Sequence, residues 1–329
     1  MKQLIAFVLG LFAVSLIGLS VVSGFEIGPW LTAASGLEIV SLLALCFALT
    51  AFGFGLATGD YSWVDRLWST APILFAWIYA AKSGYGPWTT LAAFFVSLWG
   101  ARLTFNFARR GGYSGSEDYR WPILRDRINN PWLWQIFHLF FICLYQVGLF
   151  ILFTMPLSIL SQADSNALTP LGLSAIPGLP PAAFLTAILL LGMLVYETLA
   201  DQQQWNFHRI KTAYRQGQDI SGHPWEQDAR DGFLHSGLFA LSRHPNYFGE
   251  LGFWWAIYLL GAASQGTLLH WSIIGPAMLT LLFIGSTIFT EGITASKYEA
   301  YRTYQKTTSP IIPWMAGSPQ AQTTRNNNT

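Results

Sequence analysis

A chain of 329 residues that is 52% hydrophobic, 16% aromatic and only 11% charged cannot coat a soluble domain, which carries about 25% charged residues. Its 18 basic and 17 acidic side chains leave a net charge of +1, which excludes a basic nucleic-acid binder as well as a disordered chain. Cys46 and Cys143 both stand in apolar runs, so neither a disulfide framework nor a zinc finger is expected, and a polytopic membrane protein remains.

The charges cluster, and the charge-free gaps between them set the spans. Eight are expected, at roughly 4–22, 37–57, 68–82, 88–108, 133–157, 182–202, 248–261 and 271–290. The gap 251–290 is too long for one crossing, and Gly261, Ser264, Gln265 and Gly266 divide it. The first span reads as a retained helix rather than a cleaved signal peptide, because the run is long and no small-x-small site follows. The fold class is therefore all-α: a polytopic helical bundle of about 7–8 transmembrane helices with a polar cytosolic cap. Its expected organisation is an N-terminal helix and loop (1–36), one membrane domain (37–314) and a disordered tail (315–329), with 162–181 as an external connector.

Lysine and arginine set the orientation. The loops 109–131 and 203–247 and the tail hold most of them, whereas 23–36, 158–181 and 262–270 hold none. With the N-terminus inside, the basic loops fall on the cytoplasmic side, Lys82 alone dissenting. The expected location is a bacterial inner membrane, with the protein acting as a monomer.

Polar residues concentrate in four segments: 59–66 (GDYSWVDR), 108–127, the stretch from Glu197 to Glu250, and Glu291 onward. Glu197, Asp201, Gln204 and His208 are spaced 4, 3 and 4 apart and share one helical face that begins inside an apolar span. Intramembrane carboxylates default to function, although a helix end in the headgroup layer would also wet them. The single histidine on this face argues against a metal centre. Arg102, Asn106, Arg109 and Arg110 form a stripe of guanidinium and amide groups suited to phosphate, since the arginine fork pairs with two oxygens; positive-inside anchoring explains the stripe equally well. The strongest signal is 238–255 (LFALSRHPNYFGELGFWW). Pro245 fits the first turn of a helix, Arg243 and His244 precede it beside free amide donors, and Asn246 and Glu250 follow four apart. No GxGxxG, no GxxxxGK[ST] and no GxSxG occurs in a fitting context.

SRHPNYFGE (242–250) and the aromatic-rich span after it resemble the signature of the steroid 5-alpha reductase superfamily, closest to its mostly bacterial, little-characterised branch. DRLW (65–68), RLTFNFARRGG (102–112), EDYR (117–120), ETLADQQQWNF (197–207) and the segment 291–314 agree in order, over about residues 37–314. RHPNY alone is less specific, being shared with sterol reductases, and a similar motif occurs in isoprenylcysteine carboxyl methyltransferases. The resemblance implies NADPH in a cavity open to the cytosol and hydride delivery to the carbon–carbon double bond of an apolar enone, steroid-like or prenyl-like. It implies that Asn246 and Asp201 contact the nicotinamide and ribose region. Arg102, Arg109, Arg110, Arg243 and Tyr298 fall on the cofactor side, and Tyr247, the tyrosine of the motif, is grouped with them. On the substrate side it points to Asp65 as the acid that holds the ketone oxygen. Trp99 stands where the family has a tyrosine, and Tyr61 is the substitute. The competing readings are an S-adenosylmethionine-dependent membrane methyltransferase and a non-enzymatic membrane protein. The expected partners are membrane lipids and an apolar lipid substrate, with no nucleic acid.

Overall fold

The computed structural model describes residues 2–22, 24, 27–115, 117–166 and 180–314. The expected tail at 315–329 and most of the expected connector lie outside them. In chain order the α-helices are α1 (Lys2–Val22), α2 (Ile27–Ala33), α3 (Gly36–Thr58), α4 (Ala71–Lys82), α5 (Pro87–Arg109), α6 (Arg120–Ile128), α7 (Pro131–Phe137), α8 (Gln146–Asn166), α9 (Pro180–Arg215), α10 (Glu226–Asp231), α11 (Pro245–Ala263), α12 (Ile274–Lys297) and α13 (Ala300–Thr307). Among the described residues there is no β-strand, only an isolated bridge between Ser242 and Ser309. The protein is an all-α membrane-type helical bundle.

Five helical stretches are long and apolar enough to cross a membrane: Gly36–Thr58, Pro87–Arg109, Pro131–Ser165, Leu185–Arg215 and Trp271–Lys297. Helices also form at the other three expected positions, but Ala13–Val22 and Ala71–Lys82 are shorter apolar stretches, and α11 carries Asn246 and Glu250 in its first turns. Local chemistry sets the ends. Ser35 and Glu38 form a reciprocal capping box at the start of α3, and Gly59 closes it in the left-handed conformation. Asn130 caps α7 ahead of Pro131, and a π-helical stretch, His138–Tyr145, joins α7 to α8 without a break. The helix expected to stop near 202 runs to Arg215. No glycine or proline interrupts it there, and Gln202–Asn206 and Gln204–His208 contacts support the exposed turns.

Where the sequence reads as one membrane domain over 37–314, the chain divides into two compact units: residues 1–186 with 257–277, and residues 187–256 with 278–329. The boundaries fall inside helices, so no change of composition marks them. In the first unit α4 packs against α5 and α8, α3 against α8, and α1 along α3. Pro156 inside α8 leaves the Leu152 carbonyl without its helical donor, and Gly275 backs onto that carbonyl, where any Cβ would collide. Asp164 accepts from the Thr89 amide (2.8 Å) and hydroxyl (2.7 Å), tying the start of α5 to the end of α8. In the second unit α9 and α11 approach closely at two glycines. A Cβ on Gly249 would lie 2.6 Å from Cβ of Glu197, and one on Gly252 would lie 2.5 Å from the Met193 sulfur. Phe233, Tyr301 and Tyr304 form one buried cluster of this unit, and Phe207, Leu234 and Phe239 another.

Candidate functional site

In the first unit two polar segments far apart in sequence are knitted together. Gly59 turns the chain out of α3, and Asp60 accepts from the Ser62 amide (2.9 Å). Arg66, 4% exposed, bonds Asp60 (2.6 Å) and the Gly112 carbonyl (3.2 Å) and lies 4.3 Å over the Trp63 ring. The Asp118 amide donates to Ser62 (2.7 Å) and the Tyr61 amide to Glu117 (3.2 Å). Segments 59–66 and 112–121 thus form one polar cluster outside the long apolar helices.

Asp65 sits inside it with its side chain 8% exposed. Its Oδ2 accepts from the Trp121 indole at 2.8 Å. The nearest cation, Arg120, stands 3.8 Å from Oδ1 and is engaged by Asp118 at 2.8 and 3.2 Å. Burial pushes the Asp65 carboxyl up to about 6, only partly opposed by Arg120 and reinforced by the negative charge of Asp118. Burial also raises Glu117 above the ordinary carboxylate range, with Arg125 opposing it. Tyr61 is buried; its hydroxyl accepts from Gln135 (3.1 Å), and its ring meets Trp134 and His138 edge-on. Trp99 is fully buried. Of the α5 stripe, Asn106 is buried, Arg102 and Arg109 are half-buried, and Arg110 is exposed just past the helix end. Arg109 lies 5.2 Å over the ring of the exposed Phe105.

In the second unit Glu197 and Asp201, one turn apart on α9, are both buried. Glu250, also buried, accepts from the Trp254 indole (3.1 Å), and Asn246 is half-buried in the first turn of α11. Arg243 does not present an open fork. Its Nε and Nη2 grip Glu291 at 2.7 and 3.0 Å, and Nη1 donates to the Gln305 (2.9 Å) and Thr308 carbonyls. Four of its five N–H groups are therefore engaged within the protein. His244 reaches the same carboxylate (3.0 Å), and its ring stacks on Tyr247 (4.9 Å between centroids). Gln305 adds a fourth bond to Glu291 (2.8 Å). Arg215 donates to the Tyr298 hydroxyl (3.0 Å), and the Lys211 ammonium lies 5.0 Å over the Tyr298 ring. Burial raises the Tyr298 phenol, but Lys211 and Arg215 outweigh it and hold the group below its ordinary value.

The expected site residues therefore fall into two groups: Tyr61, Asp65, Arg102, Asn106, Arg109 and Arg110 in one unit; Glu197, Asp201, Arg243, His244, Asn246, Tyr247, Glu250 and Tyr298 in the other. Sequence reasoning missed Trp121, Gln135 and Glu291 as partners. Trp121 directly follows the EDYR motif, and Gln135 stands in a charge-free apolar run, where a lone amide is itself a signal. No group of three or more His, Cys, Asp or Glu among the described residues is placed to hold a metal ion.

Residues 51–308 match the family described as "Protein of unknown function (DUF1295)". An uncharacterised protein of Schizosaccharomyces pombe is 33% identical over 285 residues, covering 84% of this chain and 79% of its own. A fungal relative means that membership does not by itself imply a bacterial membrane. No solved structure matches the chain.

Proposed function

This chain belongs to the DUF1295 family, and we propose that it is a membrane-embedded NADPH-dependent reductase acting on the carbon–carbon double bond of an apolar enone. The observation that carries the reading is Asp65. A carboxyl held near pKa 6 by burial, with one indole donor and its nearest arginine committed to another acid, is poised as a proton-sharing acid at neutral pH. Reducing an enone builds negative charge on the carbonyl oxygen, and a pre-placed acid in a water-poor cluster stabilises that charge as it grows. Tyr61, held by Gln135, is the second candidate donor.

NADPH, when bound, supplies the hydride and leaves as NADP⁺. The donor types present suit such a cofactor. Within the second unit, the Asn246 amide in the first turn of α11 and the buried Asp201 of α9 suit the polar nicotinamide and ribose. Arg243 takes a different part: with its fork filled by Glu291, it anchors the loop ahead of α11 and so sets where Asn246 stands. The carbonyl oxygen, once protonated, returns its proton as the enol becomes the ketone, and the α-carbon gains one proton, so hydride plus proton balance the two hydrogens added.

The test uses the purified full chain in lipid nanodiscs. NADPH oxidation should require an apolar enone, and Asp65→Asn should lower turnover about a hundredfold while leaving NADPH affinity near wild type, because the acid acts mainly in the transition state. If no enone in a broad lipid panel stimulates oxidation, and S-adenosylmethionine rather than NADPH raises the melting temperature, the reductase reading gives way to a methyltransferase.

A further inference from the structure

The end of the second unit carries a surface that the proposed reaction does not use. Helix α13 buries Tyr301 and Tyr304 beside Phe233 and turns Arg302 and Lys306, one turn apart, to the outside. Beyond it the chain runs back along 241–244 as a pinned strap. The Arg243 amide donates to Ser309 (2.8 Å), the His244 amide to Pro310 (3.0 Å), the Ser242 hydroxyl to Ile311 (2.7 Å), and the Trp314 amide to Leu241 (2.9 Å). Pro310 and Pro313 stiffen the strap further.

This fixed backbone holds two large apolar side chains outward. Ile312 is 65% and Trp314 76% exposed. They line an open cavity of about 540 Å³ whose other walls are Lys306, Thr307, Thr308 and Ser309. One cation, three hydroxyl residues and two apolar residues on one concave face make an amphipathic lining. The Thr307 hydroxyl is turned to the Thr303 and Tyr304 carbonyls, which leaves Lys306 as the lining's charged contact.

We propose that this cavity binds the phosphate headgroup of an anionic phospholipid, with Lys306 at the phosphate and Trp314 and Ile312 in the adjoining glycerol and acyl layer. Charge complementarity selects an anion. The apolar half of the lining selects a lipid over soluble phosphate, which gains nothing from an indole or a sec-butyl group. Tryptophan is at home at the headgroup level, where one end is apolar and the other wet, and a lysine near an anionic lipid surface is worth about fivefold in affinity. The stretch Trp271–Lys297, long and apolar enough to cross a membrane, ends just before α13 begins at Ala300, so the chain leads from such a helix directly into this surface.

The experiment places the full chain in phosphatidylcholine nanodiscs doped with photoactivatable phosphatidylglycerol and maps cross-links by mass spectrometry. Labelling is expected within 302–314, to fall about fivefold or more in Lys306→Glu, to persist in Lys306→Arg, and to drop in Trp314→Ala with the melting temperature unchanged. Excess inorganic phosphate should leave it intact. Equal labelling of the wild type and Lys306→Glu, equal capture of a neutral photoactivatable phosphatidylcholine, or displacement by inorganic phosphate would each overturn the proposal.

Discussion

Asp65 and Glu291 are both buried carboxylates with an arginine nearby, and the protein treats them in opposite ways. Glu291 accepts four hydrogen bonds, two from Arg243 and one each from His244 and Gln305. Asp65 is served by the Trp121 indole and, more weakly, the Ser62 hydroxyl, and its arginine stands off at 3.8 Å, turned toward Asp118. A saturated carboxylate is a staple, because each bond stabilises its charge and fixes its geometry. A desolvated and undersupplied one has a proton to share. The residue type is the same; the number and commitment of the donors divide the roles.

The largest effect should come from breaking the staple. Arg243→Ala leaves Glu291 buried without its bidentate partner, at a cost of about 3–5 kcal/mol, seen as a lower thermal midpoint of the detergent-solubilised protein. Glu291→Gln should be milder, since the amide keeps part of the network. If Arg243→Ala melts like wild type, Glu291 is not held as described.

The next effect is a pH dependence that belongs to Asp65. Its folded value, about 6, lies above the unfolded value of about 3.9. Below about pH 4 the acid is protonated in both states and its contribution is fully present. As pH rises toward 6 the unfolded chain ionises first, so stability falls, by about 3 kcal/mol across the window. Wild type minus Asp65→Asn, measured by denaturant unfolding at several pH values, should isolate this slope, because burial also raises Glu117 and its part cancels in the difference. A flat difference between pH 4 and 7 would mean that Asp65 is not desolvated.

Smaller changes sharpen the contrast. Gly249→Ala places a methyl 2.6 Å from Cβ of Glu197 and should destabilise by about 1–3 kcal/mol through overpacking of α9 on α11, without moving the Asp65 pH profile. Trp121→Phe removes the one indole donor to Asp65. At pH 7 it should destabilise by about 1 kcal/mol and move the pH transition upward, since the ionised form loses a hydrogen bond that stabilises it. A downward move would show that the indole instead favours the protonated acid.

Much of this was legible in the chain itself. The charge-free gaps marked where the apolar helices lie, because a bilayer admits only segments that satisfy their own backbone, although those reaching Ser165 and Arg215 run past the expected ends. Pro245 at the first turn of α11 was a local signal with a local cause. The helical face Glu197–His208 already points past the expected end at 202, and helix-forming residues free of glycine and proline carry α9 on to Arg215. The two-unit division was not visible, since its boundaries lie within helices.

The sequence alone determined the all-α membrane architecture, the concentration of polar groups in a few segments, and the candidates among them. It could not determine which candidate was spent on structure. Arg243 finds Glu291 48 residues away, and Asp65 finds Trp121 at a separation of 56. Such pairings depend on how helices pack, down to a Cβ missing at Gly249. An arginine placed on the cofactor side by resemblance has its fork filled as an internal clasp, and an aspartate known only by resemblance is the most desolvated acid of its cluster. The reason is physical: burial and donor count set the state of a carboxylate, and both are properties of neighbours that only the folded chain assembles.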